Sequence, residues 1–439
     1  MKRIRLYTGL AGMGWALLSA TANAATQASG IDTGDTAFII CCALLVVLMT
    51  VPGLALFYGG LARSKNILSI LMQVFCIASM ISILFTMYGY SLIFADGGSW
   101  QSVIGSFDKA FLRGVGVDAV HGTIPELLYF FFMLLFAAIT PAMIIGSFAE
   151  RVKFSAVMVF MALWMTINYI PMAHMAWVPG GWIYELGAQD FAGGNVVHVN
   201  VGIAALIGAF LLGRRRGFGT AAMMPHNMTM TMTGGSMLWV GWLGFCGGCV
   251  WAANGYSVLI IINTMLASCA GALSWSFFEW RGRGKPSMLG AVSGSIAGLV
   301  AITPAGGYAG PMGAIMLGTL VAPVCIFAIE KIKPFMGVDD AFDVFGVHGV
   351  GGIFGGLMTP VFALPVLGGM GYVDSHDLLS QWIVNLEVVA FSIVFSAVSS
   401  LIAYKITALV CRGLRVDEEH EMVGLDVASH GEVGYKLTN

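Results

Sequence analysis

The sequence predicts an all-α integral membrane protein with 11 transmembrane helices, arranged as two inverted five-helix halves plus one extra helix. Three observations lead to this prediction. The 439 residues are 58% hydrophobic and 10% charged, with a mean hydropathy of +0.85, whereas soluble domains are about 25% charged. Apolar stretches long enough to span a bilayer recur along the chain, and basic residues collect in alternate loops. The net charge of −2 gives no basis for nucleic-acid binding.

The first 24 residues have the pattern of a secretory signal peptide. Lys2, Arg3 and Arg5 form a basic n-region, residues 10–20 are a short apolar region, and residues 22–24 read Ala-Asn-Ala, a cleavage site. The apolar region is too short to span a bilayer. We therefore expect cleavage after residue 24, which leaves the mature N-terminus outside the cytoplasm. An uncleaved first helix is the alternative.

Spans of about 20 mostly apolar residues then follow one another along the chain. They form a predicted membrane domain, residues 25–410, which is followed by a tail, residues 411–439. Glycine is abundant, with 58 residues, and it permits the close helix packing on which association in lipid depends. The predicted spans are 36–60, 67–94, 124–149, 154–175, 194–213, 229–252, 257–280, 287–304, 308–330, 345–367 and 379–411.

The basic residues orient these spans independently of hydropathy. If the mature N-terminus lies outside, all basic residues that follow the signal segment fall on the cytoplasmic side, except Lys109 and Arg113. This distribution satisfies the positive-inside rule, and a missed or spurious span would have broken the alternation. The sequence therefore predicts a multi-pass inner-membrane protein with a cytoplasmic tail.

Two histidines near the starts of the fifth and tenth spans stand in similar contexts. The segments from Asp190 to His198 and from Asp343 to His348 both run from aspartate through an aromatic residue and glycine to Val-His. These spans close the two predicted halves, so an inverted repeat would bring the histidines together at the midplane. Intramembrane ionisable residues are usually functional, although two independent core histidines remain the alternative.

The chemistry of imidazole and of the surrounding aromatic residues indicates which kind of molecule could pass between the helices. A neutral imidazole offers one donor and one acceptor, which suits a small neutral molecule better than a bare cation. Phe132 and Phe136 share one face of the third span, and Trp242 and Phe245 share one face of the sixth. Trp177, at the predicted outer end of the fourth span, could hold a cation by an attraction of about 0.5–2 kcal/mol. Each of these residues could also serve packing alone.

Several segments in order resemble the ammonium transporter (Amt/Mep/Rh) family, and they resemble the bacterial AmtB-type channels closely. They run from the first span to the tail, and it is their order and combination that make the resemblance specific. The segments are VPGLALFYGG at 51–60, YIPMAHMAW at 169–177, DFAGGNVVH at 190–198, VDD at 338–340, DVFGVHG at 343–349 and GLDVASHGE at 424–432.

The resemblance implies transport of ammonium or ammonia into the cytoplasm of a bacterium, with methylammonium as a further candidate substrate and without enzymatic activity. Trp177 matches the tryptophan of an outer ammonium-recruitment site, with Phe132 beside it. Asp190 matches an aspartate needed for recruitment and deprotonation. Phe136 and Phe245 match a stacked pair that closes the outer end of a pore.

The remaining matches lie deeper in the pore or depart from the family. His198 and His348 match its twin histidines, and Trp242 matches a pore-lining tryptophan. Cys249 stands where the recruitment site usually has a serine, three residues after Cys246, and a thiol is a weaker hydrogen-bond partner than a hydroxyl. The resemblance further implies a homotrimer whose tail couples the pore to a PII-type signalling protein. We expect no cofactor and no metal.

Two rival functions follow from the same residues. An ammonium sensor with little flux would share the fold and the outer site. A membrane enzyme or electron-transfer subunit could use the histidines as haem ligands, together with the motif Cys246-x-x-Cys249. However, Val250 follows this motif, whereas the c-type haem motif requires histidine there.

Overall fold

The computed structural model describes residues 30–372 and 376–435, so the predicted signal peptide, residues 1–24, lies outside the described part of the chain. Within that part the fold is almost entirely helical, with eleven long helices. They are α1 (Thr33–Leu61), α2 (Ser64–Phe94), α3 (Glu126–Phe148), α4 (Phe154–Glu185), α5 (Gly194–Leu212), α6 (Met228–Gly247), α7 (Gly255–Arg283), α8 (Met288–Ala305), α9 (Pro311–Met336), α10 (Phe345–Phe362) and α11 (Leu378–Val410).

The predicted spans are all confirmed as helices, with shifted ends. Ten are long and apolar enough to cross a membrane, whereas the threonines and glycines in the first half of α6 lower its hydropathy. The sequence predicted that this helix would reach residue 252, but α6 ends at Gly247. The chain there tightens into a 3-10 turn, Gly248–Val250, and then reaches Trp251, whose φ of 62° lies in the left-handed region.

The loops and the tail gather at two opposite faces of the bundle. We call the face at which α1 begins the N-terminal face, where the N–H of Asp32 donates to the carbonyl of Thr123 at 2.8 Å. We call the other the tail face, because residues 411–435 pack there. The N–H of Lys153, between α3 and α4, donates to the carbonyl of Leu414 at 2.9 Å.

Short elements complete both faces. A two-stranded antiparallel hairpin covers part of the N-terminal face. Two short helices lie in the tail, and the second packs under α2, where the N–H of Ser69 donates to the carboxylate of Asp426 at 2.8 Å. These elements are β1 (Val120–His121), β2 (Ile124–Pro125), α12 (Glu418–Val423) and α13 (Leu425–His430).

The centre of the bundle is formed by α3, α5 and α8. In the most apolar stretch of α3, 89% of the residues are buried, and the share is 78% in α5 and α8, whereas it is 39% in α11. The three central helices therefore carry Phe136, His198 and Thr303. Side chains on these helices can line an internal path, while α11 lies at the outside of the bundle.

α5 and α10 enter the bundle from opposite faces and begin in the same way. Each starts with a π-helical turn that contains its histidine, Gly194–Val199 in α5 and Phe345–Gly349 in α10. Such turns are rare, and they are frequent at functional sites. The two helices touch backbone to backbone, because a side chain at Gly202 would collide with the main chain of Gly349.

An aspartate eight residues before each histidine caps each π-helical turn. The carboxylate of Asp190 accepts hydrogen bonds from three backbone N–H groups ahead of His198. That of Asp340 accepts two ahead of His348, at 3.1 and 2.8 Å. The sequence pattern had matched Asp190 with Asp343 on their shared letters, but equal spacing and equal hydrogen bonding identify Asp340 as its counterpart. Asp343 instead forms an ion pair with a lysine of α9.

Candidate functional site

The two predicted histidines meet where α5 and α10 cross. The Nδ1 atoms of His198 and His348 are 3.3 Å apart, their ring centroids are 5.4 Å apart, and the rings are 26° from parallel. His198 is 1% exposed and His348 is 7% exposed. The prediction that these distant residues form a buried pair is confirmed.

The hydroxyl of Thr303 on α8 determines which ring nitrogen of each histidine carries the hydrogen. It donates to the carbonyl of Leu299 at 2.8 Å, so its oxygen is left to accept, and it accepts the indole N–H of Trp242 at 2.9 Å. Nε2 of His198 lies 3.3 Å from this oxygen and must therefore donate. In a neutral imidazole the other nitrogen then accepts, so Nδ1 of His198 accepts a hydrogen bond from the Nδ1–H of His348.

A stacked pair of phenyl rings closes the space above the histidines, on the side of the N-terminal face. The rings of Phe136 on α3 and Phe245 on α6 have centroids 3.8 Å apart and are 15° from parallel. Both side chains are buried. Trp242 continues the line, with ring centroids 6.0 Å from Phe245 and 5.2 Å from His198. The stack therefore separates the histidine pair from the N-terminal face.

More aromatic residues lie above this stacked pair. The half-buried indole of Trp177 stands edge-on to Phe136, with centroids 6.0 Å apart and an angle of 87°. Phe132 contacts Phe136 with centroids 5.2 Å apart. Tyr169 lies edge-on to Trp177 at 6.4 Å. The structure therefore brings together the aromatic residues that the sequence placed in different helices.

Asp190 lies beside this cluster, and its carboxylate faces the main chain. Its oxygens accept the N–H groups of Gly193, Gly194 and Asn195, the last at 2.7 Å. Gly193 has a φ of 99°, and a side chain there would lie 3.3 Å from the indole of Trp177. The contacts of Asp190 therefore hold the loop on which Trp177 rests and the turn that carries the first histidine.

The two cysteines of α6 and the turn after it differ in exposure. Cys246 is buried, while Cys249 is half-buried and its thiol donates to the carbonyl of Phe245 at 3.2 Å. All eight cysteines of the chain lie among the described residues and are free thiols. The thiol of Cys249 is thus held against its own turn, next to the backbone of Phe245.

A cavity of about 310 Å³ opens on the other side of the histidines, toward the tail face. His348 lines it together with Tyr58, Phe342 and Asp343. A second space of about 10 Å³, close to the size of one water molecule, lies between Trp242 and His348. One small gap and one wider chamber therefore lie between Trp242 and the tail face.

Sequence reasoning missed Thr303, although the residue connects Trp242 to the histidine pair. The signal that could have found it is a hydroxyl residue directly before an intramembrane proline, Pro304. The carbonyls of these two residues accept the N–H groups of residues 191 and 192 at 3.0 Å, because the carbonyls in the last turn of a helix have no partner within the helix.

The other histidines are not arranged as ligands. Both ring nitrogens of His174 are engaged by backbone carbonyls, those of Ile93 at 2.6 Å and Gln101 at 2.7 Å. Across residues 30–372 and 376–435, no cluster of three His, Cys, Asp or Glu side chains could hold a metal ion.

Comparison with known proteins identifies the family. Residues 37–435 match the model of the Ammonium Transporter Family. The chain belongs to this family. An ammonium transporter of Bacillus subtilis (strain 168) is 44% identical over 413 residues, which cover 92% of this chain and 99% of the relative.

Solved structures of ammonium transporter family proteins have the same fold. Mep2 of Saccharomyces cerevisiae superposes with a TM-score of 0.82 at 30% identity, over 93% of each chain. A structure described as a sensor Amt protein superposes with a TM-score of 0.83 at 28% identity, over 90% of this chain and 98% of that one. The chain is thus a multi-pass membrane transporter and not an enzyme, as the sequence predicted.

Proposed function

We propose that this ammonium transporter captures ammonium at its N-terminal face and conducts ammonia to the tail face. Trp177 and Phe132 form the recruitment site, with help from Asp190 and Cys249. The cation loses its proton to water at this site. The proton either crosses by a separate polar path, which makes transport electrogenic, or returns to the outside, which makes it electroneutral. The observation that carries the proposal is the buried imidazole pair, which lies directly in line beneath a closed aromatic gate.

The neutral molecule then passes through the core. The rings of Phe136 and Phe245 must separate briefly for it to enter. Below them, Trp242 and the pair of His198 and His348 line the narrow part of the path, and the wider chamber leads out. The donor and acceptor nitrogens of the imidazole pair suit ammonia, which can both donate and accept hydrogen bonds.

Deprotonation is the less costly way to cross this apolar region. Transfer of a bare unit charge into a low dielectric costs about 20 kcal/mol in the idealised limit. Removal of a proton from an amine with a lysine-like pKa of about 10.4 costs roughly 5 kcal/mol at neutral pH. The difference favours a mechanism in which ammonia, rather than ammonium, passes the histidines.

The distribution of basic residues supports an orientation for this transport. We place the N-terminal face outside a bacterial inner membrane and the tail face in the cytoplasm, after removal of residues 1–24.

The family resemblance supports a homotrimer with one pore per subunit. It also supports a PII-type signalling protein as the partner of the tail face, where residues 411–435 pack against the loops.

Ammonium-induced current in membranes that contain the purified protein tests the proposal. A saturable current that is lost in both Trp177→Leu and His198→Ala would establish electrogenic transport that depends on this path. If no current appears, stopped-flow uptake of ammonia into vesicles would show whether the path is electroneutral. Absence of both signals would contradict transport.

An ammonium sensor is the second candidate, and the similarity to the sensor Amt protein favours it. A sensor would retain capture of ammonium at the N-terminal face but would have little flux. Tight binding of ammonium by the purified protein, without current or uptake in vesicles, would identify this function.

A further inference from the structure

Trp251 has a conformation that is unusual for a large aromatic residue. It ends the turn after α6 with φ of 62° and ψ of 10°, a left-handed conformation that is strained for residues with bulky side chains. Residues held in strained backbone conformations cluster at functional sites. Trp251 is two residues beyond Cys249, so its backbone lies beside the recruitment site.

The indole of Trp251 relates to Phe132 as the indole of Trp177 relates to Phe136. Trp251 stands edge-on to Phe132, with centroids 5.2 Å apart and an angle of 81°. Trp177 stands edge-on to Phe136 with centroids 6.0 Å apart and an angle of 87°. The two phenyl rings touch each other, at 5.2 Å. Two half-buried indoles thus stand over two neighbouring rings of α3.

Packing fixes the second indole in place. Tyr129, one turn before Phe132 on α3, contacts Trp251 with ring centroids 4.6 Å apart. Gly248 lets the turn approach α3 closely, because a side chain there would lie 2.5 Å from the ring of Phe132. The indole is therefore held above the cluster by its neighbours.

We propose that Trp251 is a further ammonium-binding residue of the recruitment site, which then has two indoles instead of one. Indole rings attract cations more strongly than other aromatic rings. The thiol of Cys249 donates its proton to its own turn and cannot offer the acceptor strength of a hydroxyl. A second indole supplies the cation with an additional binding surface. This inference rests on the proposed function.

The test compares the wild type with three Trp251 variants by ammonium uptake into vesicles. Trp251→Gly removes the ring and relieves the left-handed conformation, Trp251→Leu retains apolar bulk without a ring, and Trp251→Phe retains a ring. For one cation–π contact we expect the KM for ammonium to rise about 2- to 30-fold in the first two variants. The KM of the phenylalanine variant should lie between those of the other two variants and that of the wild type. The maximal rate of all three variants should remain within about twofold of the wild type, because the gate and the histidines are unchanged.

Trp100→Leu is the matched control, since Trp100 lies in a loop of the same face and is 67% exposed. An unchanged KM in both Trp251→Gly and Trp251→Leu would overturn the inference. So would a lower maximal rate at an unchanged KM, because it would indicate a packing role alone. If the wild type neither transports nor binds ammonium, the proposed function itself fails. Wild-type transport with insensitive Trp251 variants rejects only this inference.

Discussion

At the scale of residues, the hydroxyl of Thr303 connects two residues of the candidate path, Trp242 and His198, that the sequence did not link to each other. It receives the indole N–H of Trp242 at 2.9 Å and lies 3.3 Å from Nε2 of His198. It thereby fixes the orientation of one ring and the tautomer of another. A proton position in the histidine pair is thus determined by a neighbour on a different helix.

Replacement of Thr303 by valine should impair transport without changing the shape of the path. The two buried N–H groups would lose their acceptor, at a cost of about 1–3 kcal/mol, and the imidazole would be free to turn. We expect the rate of ammonium uptake into vesicles to fall about tenfold, as for a loss of about 1.4 kcal/mol.

Thr359→Val is the control for that substitution. Thr359 is equally buried, but its hydroxyl donates to the carbonyl of Gly355 within its own helix, at 2.8 Å. Its replacement should leave uptake nearly unchanged. Equal effects of the two valine substitutions would show that Thr303 acts through helix packing and not through the imidazole.

His121 provides a pH dependence at the N-terminal face. Its ring stacks on Tyr129 with centroids 3.7 Å apart. His121 is exposed, but partial desolvation lowers its pKa below the usual 6.5; the charge of Glu126 opposes this shift and that of Lys109 adds to it. Asp35 of α1 also faces the hairpin through its bond to Thr123.

Protonation of His121 should weaken ammonium capture. Because its pKa is lowered, the imidazole is neutral at pH 7 and gains its positive charge only below pH 6.5. The KM for ammonium should then rise a few-fold as the external pH falls toward about 5, since two positive charges repel each other. His121→Gln should flatten this profile, whereas His376→Gln, at the start of α11, should not. A profile that persists in His121→Gln would assign the effect to another group.

At the scale of elements, the two π-helical turns are the units that position the histidines. Each is capped by the aspartate eight residues before its histidine. Asp190 and Asp340 accept backbone N–H groups that a π-helical start leaves without partners inside the helix. The same device, used from opposite faces, places both imidazoles at one depth.

Removal of the second cap should be as harmful as removal of the first. Asp340→Ala and Asp190→Ala should each lower stability by about 1–2 kcal/mol, as lost helix caps do, and each should reduce ammonium uptake. Asp343→Ala should have a smaller effect on uptake, because that carboxylate pairs with Lys333 and does not cap the turn. Thermal unfolding in detergent and uptake into vesicles measure the two effects. A harmless Asp340→Ala would refute the equivalence of the two turns.

At the scale of the whole molecule, a buried ion network holds the helices together at the tail face. Arg215 pairs with Asp339 at 2.9 Å and with Glu150 at 3.2 Å, and Arg63 pairs with the same glutamate at 2.7 Å. Burial alone would raise the pKa of Asp339, but the hydrogen bonds and charge of Arg215 hold it below 3.8. Arg216 extends the network into the tail, where its N–H donates to Glu421 at 2.6 Å.

Arg215→Met should destabilise the protein strongly. The substitution leaves two buried carboxylates without their shared partner. The free energy of unfolding should fall by about 3–5 kcal/mol, as when a buried ion pair is broken. Arg283→Met breaks an exposed pair with Glu330 and should cost about 0–1 kcal/mol. Thermal unfolding of both variants in one detergent makes the comparison. Similar melting temperatures would contradict a stabilising role for the network.

The pH dependence of this network has a definite sign. Because the folded pKa of Asp339 is lowered, its contribution to stability is present above the unfolded pKa of about 3.9 and is lost as the pH falls through the folded value. Neutral pH should therefore leave the network intact. Acid below about pH 4 should loosen the tail face.

The sequence by itself determined the membrane class, the positions of the helices and the expectation of a histidine pair. Hydropathy and loop charge act locally along the chain, so they can be read without knowledge of any contact. Only the tertiary structure decided that Thr303 bonds to both Trp242 and His198, and that Asp340 rather than Asp343 is the counterpart of Asp190. These relations depend on how helices distant in sequence cross and in which register they pack, because lipid provides no apolar drive that would fix them in advance.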